Sequence, residues 1–302
     1  MSHFSVLVYG PTNEKELEKI MMPYHEFECT GIDNQYVQDI DISEDVMAEW
    51  KGSSKCDDPF SEYVDGYYCY QTFTKEEFDN DTVDEDIKYG YIIDNEDGTY
   101  KVIKRTNPNK KWDWYVVGGR WSNNLLGKDG NYHDSLRKGD IDIIGMENDS
   151  ISRNLADYDK VMEEAKSLFG DNYFDMIMDF KDWETIRNEV KDNDRDVDTA
   201  RDVYHNQNIA KVIKSFQSKG ETDWYFVDYK DFICTREEKI EKARKLPKMF
   251  FAYLGNDGWH ERGEMGWWAS VSNEQTDWDT KAASIFDSIP DDTVVTVVDC
   301  HI

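Results

Sequence analysis

The residues best equipped for chemistry gather toward the end of the chain. Trp259-His260-Glu261-Arg262-Gly263-Glu264 brings together an imidazole, two carboxylates and a guanidinium, the composition of an acid/base site, in or beside a turn where charged residues are common. The closing run Thr293-Val-Val-Thr-Val-Val-Asp-Cys-His-Ile302 is too apolar to lie on a surface. Its polar end, Asp299, Cys300, His301 and the last carboxylate, is therefore predicted to emerge from a buried strand, close to whatever residues 260–268 build. His260, Glu261, Arg262, Cys300 and His301 are the candidate catalytic residues. Strand alternation puts the adjacent Cys300 and His301 on opposite faces, so they cannot serve each other as nucleophile and base. His301 with Glu261 or Glu264, and Cys300 with His260, stay open beside the competing reading of buried structural polar groups.

Two other clusters invite a chemical reading and resist it. His25, Glu26, Glu28 and Cys29 stand within a few residues, but alternation splits them between two faces, so a metal would need ligands from elsewhere and none is expected. Lys111-Trp-Asp-Trp-Tyr115 followed by Gly118-Gly-Arg-Trp121 mixes indoles with cations, as base-stacking surfaces do. Trp112 and Trp114 are two apart on one strand face, though, which is also how a sheet packs a core. Gly118-Gly119-Arg120 lacks the spacing and the Lys-Ser/Thr of a phosphate loop. The five cysteines form no CxxC pair, which predicts reduced thiols, and no cofactor is expected.

The elements that must position the tail can be read from both ends. Phe4–Tyr9 is a short apolar run closed by Gly10-Pro11, hence a buried strand, and its length is too short for a membrane span. With no basic residues before it, it predicts a first strand rather than a leader, and a cytoplasmic protein. Thr12 or Asn13 should cap a helix through Met22, stopped by Pro23. Near the other end the pattern predicts a strand over Met249–Leu254, a turn at Gly255–Gly258, a second strand over Gly266–Val271, a helix over Thr276–Ser288 and a last strand over Thr293–Val298. The two ends together spell β-α and β-β-α-β, the order of a ferredoxin-like split βαβ unit. The expected fold is α+β: residues 1–30 and 246–302 form a terminal α/β sandwich, and residues 31–245 an inserted mixed α/β domain. Within the insertion, helical spacing marks Ile151–Gly170, Tyr173–Val190, Val197–Ser218 and a charged helix over Arg236–Lys245, and Trp224–Asp228 is expected to return the chain to a sheet.

Composition restricts the partners. The 302 residues carry a formal charge of -29 with 39% hydrophobic residues, enough for a real core and strongly repulsive to a phosphate backbone. Between Gly31 and Gly98 stand 20 Asp and Glu against 4 Lys and no Arg, so an acidic face is predicted. That face reads either as plain solvation or as a surface for a basic protein, with Asp79, Asp81, Asp84, Glu85 and Asp86 as the candidate partner-binding residues. Direct nucleic-acid and membrane binding are disfavoured, and association into a homo-oligomer stays open.

Six motifs in order, Met1-Ser-His-Phe with Val6-Leu-Val, Pro23-Tyr-His-Glu-Phe-Glu-Cys-Thr-Gly31, Lys111-Trp-Asp-Trp-Tyr with Gly118-Gly-Arg-Trp121, Arg137-Lys-Gly-Asp-Ile-Asp142, Met265-Gly-Trp267 and Val298-Asp-Cys-His-Ile302, resemble a family of uncharacterised tailed-bacteriophage proteins. The resemblance implies an origin and no reaction, and it carries over no catalytic residue. In size and acidity the chain is also similar to phage inhibitors of host immunity, including anti-Gabija proteins. This implies an accessory protein that binds and inhibits a basic, nucleic-acid-handling host protein, such as a defence nuclease complex, through its acidic insertion. The alternative is an enzyme or small-ligand binder with its site near residues 259–268 and 299–301.

Overall fold

The computed structural model describes residues 2–26, 34–79, 89–191, 197–220 and 227–302. A strand that is apolar on both faces needs a neighbour on each edge and cover on each side. The two ends of the chain supply this for each other. Strand His3–Tyr9 runs antiparallel to strand Val294–His301 in continuous register, from His3 opposite His301 to Tyr9 opposite Val295. Beyond the N-terminal strand lies Ala252–Gly255, parallel to it, and then antiparallel Gly258–Glu261. Beyond the C-terminal strand two short strands lie end to end, Ser135–Arg137 beside Val294–Thr296 and Trp114–Val117 beside Val298–His301.

Phe4, Val6, Val8, Val298 and Cys300 share one face, covered by helix Glu14–Met21 through Leu17 and Met21. Asn13 caps that helix, its side-chain oxygen accepting from the Glu16 N–H at 3.1 Å. Leu7, Val295 and Val297 share the other face, covered by Trp278, Ala282 and Phe286 of helix Trp278–Ser288 and by Met146 from the first turn of the long helix Ile143–Phe169. The fold is α+β with both chain ends paired in one sheet. Its helices take opposite faces, so the module has three layers where a ferredoxin-like sandwich has two; the doubly apolar central strands require cover on each side. The strand after the Gly255–Gly258 turn is Gly258–Glu261 rather than Gly266–Val271, because the ladder starts at once across the turn.

Three further cores complete the described molecule, the smallest joining Ile186 and Val190 of helix Trp183–Lys191 to Ala200 of helix Val197–His205. Strands Gln38–Asp41, Gln71–Thr74, Gly90–Asp94 and Tyr100–Thr106 form a four-stranded sheet packed on helices Ser43–Gly52 and Phe60–Tyr68 through Val46, Phe60, Val64, Ile92 and Val102. The second core is helical. The remainder of Ile143–Phe169 packs Tyr158, Val161 and Ala165 against Ile209, Val212 and Ile213 of helix Asn208–Ser218. Helix Arg236–Lys245 falls where the sequence places it, behind a Thr235/Glu238 capping box. Residues 224–226 of the expected return strand lie outside the described residues. The inserted region is not one unit: its Trp114–Val117 and Ser135–Arg137 strands and its Leu125, Ile141 and Met146 side chains belong to the terminal module.

Candidate functional site

Odd-numbered positions of the C-terminal strand share the face of Val295 and Val297, so Asp299 and His301 follow on that face, opposite Ser5 and His3 of the first strand. The register brings a histidine and an aspartate of one strand against a histidine of the other. His3 Nδ1 lies 2.8 Å from Asp299 Oδ1, and Arg120 N–H donates to Asp299 Oδ2 at 2.9 Å. His301 Nδ1 lies 2.7 and 2.9 Å from the two oxygens of Asp113. The two imidazoles meet edge to face with centroids 4.9 Å apart, and the Trp114 indole stacks on His301 at 5.0 Å and 16°.

Local backbone departures build this arrangement. Asp113 N–H donates to His301 O at 3.0 Å while Trp114 is the register partner of the same residue, so two residues oppose one, as in a β-bulge. The bulge sends Trp112 and Trp114 to different sides. Trp112 is buried with Val298 and Cys300, whereas Trp114 is 45% exposed over His301. The expectation that both indoles share a face is thereby corrected. Gly118 and Gly119 follow with φ of +73° and +54°. A Cβ on Gly119 would come within 2.5 Å of the Asp299 side chain, so only glycine lets the backbone approach the carboxylate. The far ring nitrogen of His301, Nε2, is buried without a hydrogen-bond partner. A carboxylate oxygen accepts, so Nδ1 is the donor in the His301–Asp113 pair.

The other candidate catalytic residues do not join it. Cys300 points to the opposite face, fully buried, and burial first, then Asp299 and Asp113, push its thiol pKa well up, so it is a small hydrophobe and not a nucleophile. His260, half-buried on the Gly258–Glu261 strand, pairs with Asp257 at 3.0 Å. The Tyr9 hydroxyl, ahead of His260, holds the Asp257 carboxyl below the usual carboxylate range. Glu261 accepts from Lys111 Nζ at 2.6 Å and Trp259 Nε1 at 2.8 Å, and Arg262 pairs with Glu274. None of His260, Glu261, Arg262 and Cys300 reaches His301 as a hydrogen-bond or ion-pair partner among the described residues.

The tail and the segment before it are nevertheless neighbours. Ser2 exchanges backbone bonds with Ile302, and its hydroxyl donates to Gly266 O at 2.7 Å and accepts from Ala269 N–H at 2.9 Å. Between those two anchors Trp268 stands 86% exposed at φ +60°.

His3, Asp113 and Trp114 are the members of the cluster that sequence reasoning missed as site residues. The signal that could have found them is that three separate motifs, Ser-His-Phe, Trp-Asp-Trp and Asp-Cys-His, each place a histidine or aspartate beside an apolar run.

Of the candidate partner-binding residues, Asp81, Asp84, Glu85 and Asp86 lie outside the described residues, as does the side chain of Asp79, which ends the short helix Lys75–Asp79. Among the described residues no group of three or more His, Cys, Asp or Glu is arranged to hold a metal ion, and no helix is long and apolar enough to cross a membrane. No protein-family model, curated protein or solved structure matches the chain.

Proposed function

We propose that the protein is a phage-type accessory protein that presents an acidic face to a basic, nucleic-acid-handling host protein and inhibits it in the host cytoplasm. The observation that carries this reading is the surface of the four-stranded module. Glu44, Asp45, Glu49, Asp57, Asp58 and Glu62 all stand exposed there, opposed by the exposed Lys51 and Lys55, and the ion pairs of this module fall elsewhere, at Asp39–Arg105 and Asp41–Lys101. Exposed carboxylates with few cations among them, of which Glu49 also accepts from the Tyr68 hydroxyl at 2.7 Å, project a field that attracts a basic surface and repels a phosphate backbone. Asp79, Asp81, Asp84, Glu85 and Asp86 would extend that field along the same stretch of sequence.

The test is salt and charge dependence together. Reversing Glu44, Asp45 and Glu49 to Lys is expected to slow association with the captured partner, and raising ionic strength is expected to weaken the wild-type complex, since the Debye length shrinks from about 10 Å at 0.1 M to about 3 Å at 1 M. Affinity that ignores both changes rejects the reading.

A second reading, a small-ligand or catalytic site, rests on the paired His3/Asp299 and His301/Asp113 dyads under Trp114. A carboxylate-held imidazole is the arrangement of a general base. The His301 Nε2 is buried, so a ligand can reach it only after its surroundings move. Under this reading Trp114→Ala changes ligand binding or turnover more than stability.

A further inference from the structure

Among the described residues the central sheet has an unpaired edge beyond its C-terminal strand, starting past Trp112, which pairs with residues 24–26. Trp114–Val117 is the outermost strand there, and no strand among the described residues pairs with its far side. Gly118 N–H donates to Val297 O at 2.8 Å, and Val116 stands opposite Asp299. Antiparallel alternation then turns the backbone N–H and C=O of Val116 toward the C-terminal strand and those of Tyr115 and Val117 away from it. Val116 and Val117 are 44% and 40% exposed, so the edge is apolar as well as unpaired. Sheets ordinarily blunt such an edge with charge, proline or a covering helix. Here the nearest helix, Glu14–Met21, covers the first strand and stops short, leaving a cavity of about 610 Å³ lined by Leu17, Tyr115, Val117 and Thr296, with Glu14 at its margin. Glu18 and Glu14 lie close enough to the Tyr115 hydroxyl that, after burial, they push its pKa up.

We propose that this edge receives an extended Lys- or Arg-bearing segment of the basic partner as an added strand, bonded to the backbone of Tyr115 and Val117, with its basic side chains against Glu14 and Glu18. Backbone pairing supplies affinity that does not depend on sequence, and the two carboxylates select for cations. The inference rests on the proposed binding of a basic partner and names the place where that partner's chain docks.

The first probe is a synthetic peptide alternating lysine with valine, compared with the same peptide methylated on every backbone nitrogen. The unmethylated peptide is expected to bind and to slow amide exchange at Tyr115 and Val117, and the methylated one to bind at least about tenfold more weakly, the equivalent of roughly 1.4 kcal/mol. Equal binding of the two, or protection confined to other residues, overturns the proposal. Val117→Pro removes an outward N–H and keeps the Val116 ladder bond, a position where an edge strand tolerates proline. It is expected to weaken the peptide about tenfold at an unchanged melting temperature, and unchanged affinity overturns the proposal. If the variant misfolds, the peptide pair still decides. A dimer of the chain that Val117→Pro dissolves would assign the edge to a second copy and overturn the proposal. Partner binding lost on reversing Glu44, Asp45 and Glu49 but kept in Val117→Pro removes the edge and leaves the acidic face standing; binding kept in both removes the two together.

Discussion

Gly119→Ala tests the heart of the histidine–aspartate cluster. Gly119 has φ of +54°, where an L-residue costs about 1–2 kcal/mol. The new Cβ would also lie 2.5 Å from the Asp299 side chain, so the carboxylate must leave either the Arg120 N–H at 2.9 Å or His3 Nδ1 at 2.8 Å. Losing one hydrogen bond to a buried charged group costs about 1.5–3 kcal/mol, which brings the expected destabilisation to roughly 2.5–5 kcal/mol. Gly130→Ala is the control, because Gly130 has φ of +79° with nothing within 4 Å of a Cβ, and it should lose only the conformational part. Urea unfolding followed by tryptophan fluorescence, with amide exchange at Arg120, separates the two. Equal losses in both variants refute the claim that this glycine exists to admit Asp299, and an Arg120 amide that loses protection in Gly119→Ala assigns the lost bond to Arg120 rather than to His3.

Further expectations follow from the same geometry. Removing residues 293–302 deletes the strand that pairs with the N-terminal strand and with both short strands, and is expected to abolish folding; a soluble truncation with an unchanged melting curve contradicts the sheet order. Cys300→Ser places a hydroxyl in a fully buried apolar site and should cost about 1–3 kcal/mol if it finds no partner, while His260→Gln, at a half-buried position whose one hydrogen-bond partner is the exposed Asp257, should shift the melting temperature less. Native thiol labelling should reach Cys56 and Cys69 and spare Cys300, and rapid labelling of Cys300 would contradict its burial. The backbone N–H of Asn131, then its side chain and His133, hold the Asp129 carboxyl at about 2. A depressed folded pKa gives stability that is complete above the ordinary value of 3.8 and fades as pH falls toward 2, so Asp129→Asn should flatten the acid limb in that window; an unchanged limb rejects the assignment.

Much of the frame is legible in the sequence because it rests on local signals. The apolar runs at residues 4–9 and 293–298 are too short and too apolar to be anything but central strands, and each needs the other. Asn13 before Glu14 and Thr235 before Glu238 are caps whose mechanism spans three residues, so those helices begin where the pattern puts them. Where the structure departs, the deciding interaction is distant. Trp112 and Trp114 part company because Asp113 meets His301, 188 residues away, and a bulge cannot be read from alternation alone. The two-residue and three-residue pieces that fill out the sheets carry too few side chains to show a period. His3 gains its meaning only from the register that sets it against His301 and within reach of Asp299. The opposite-face rule for Cys300 and His301, by contrast, needs only the two-residue period, and it holds.

Tagged wild-type protein and the Glu44→Lys, Asp45→Lys, Glu49→Lys variant, each first shown to have the same melting curve, can be recovered from infected bacterial cells after nuclease treatment, at low and at high salt. The wild type is expected to carry a basic, nucleic-acid-handling host protein at low salt, high salt is expected to release it, and the reversed variant is expected to fail to recover it. Recovery of the same proteins by wild type and variant, undiminished by salt, would contradict the proposed function.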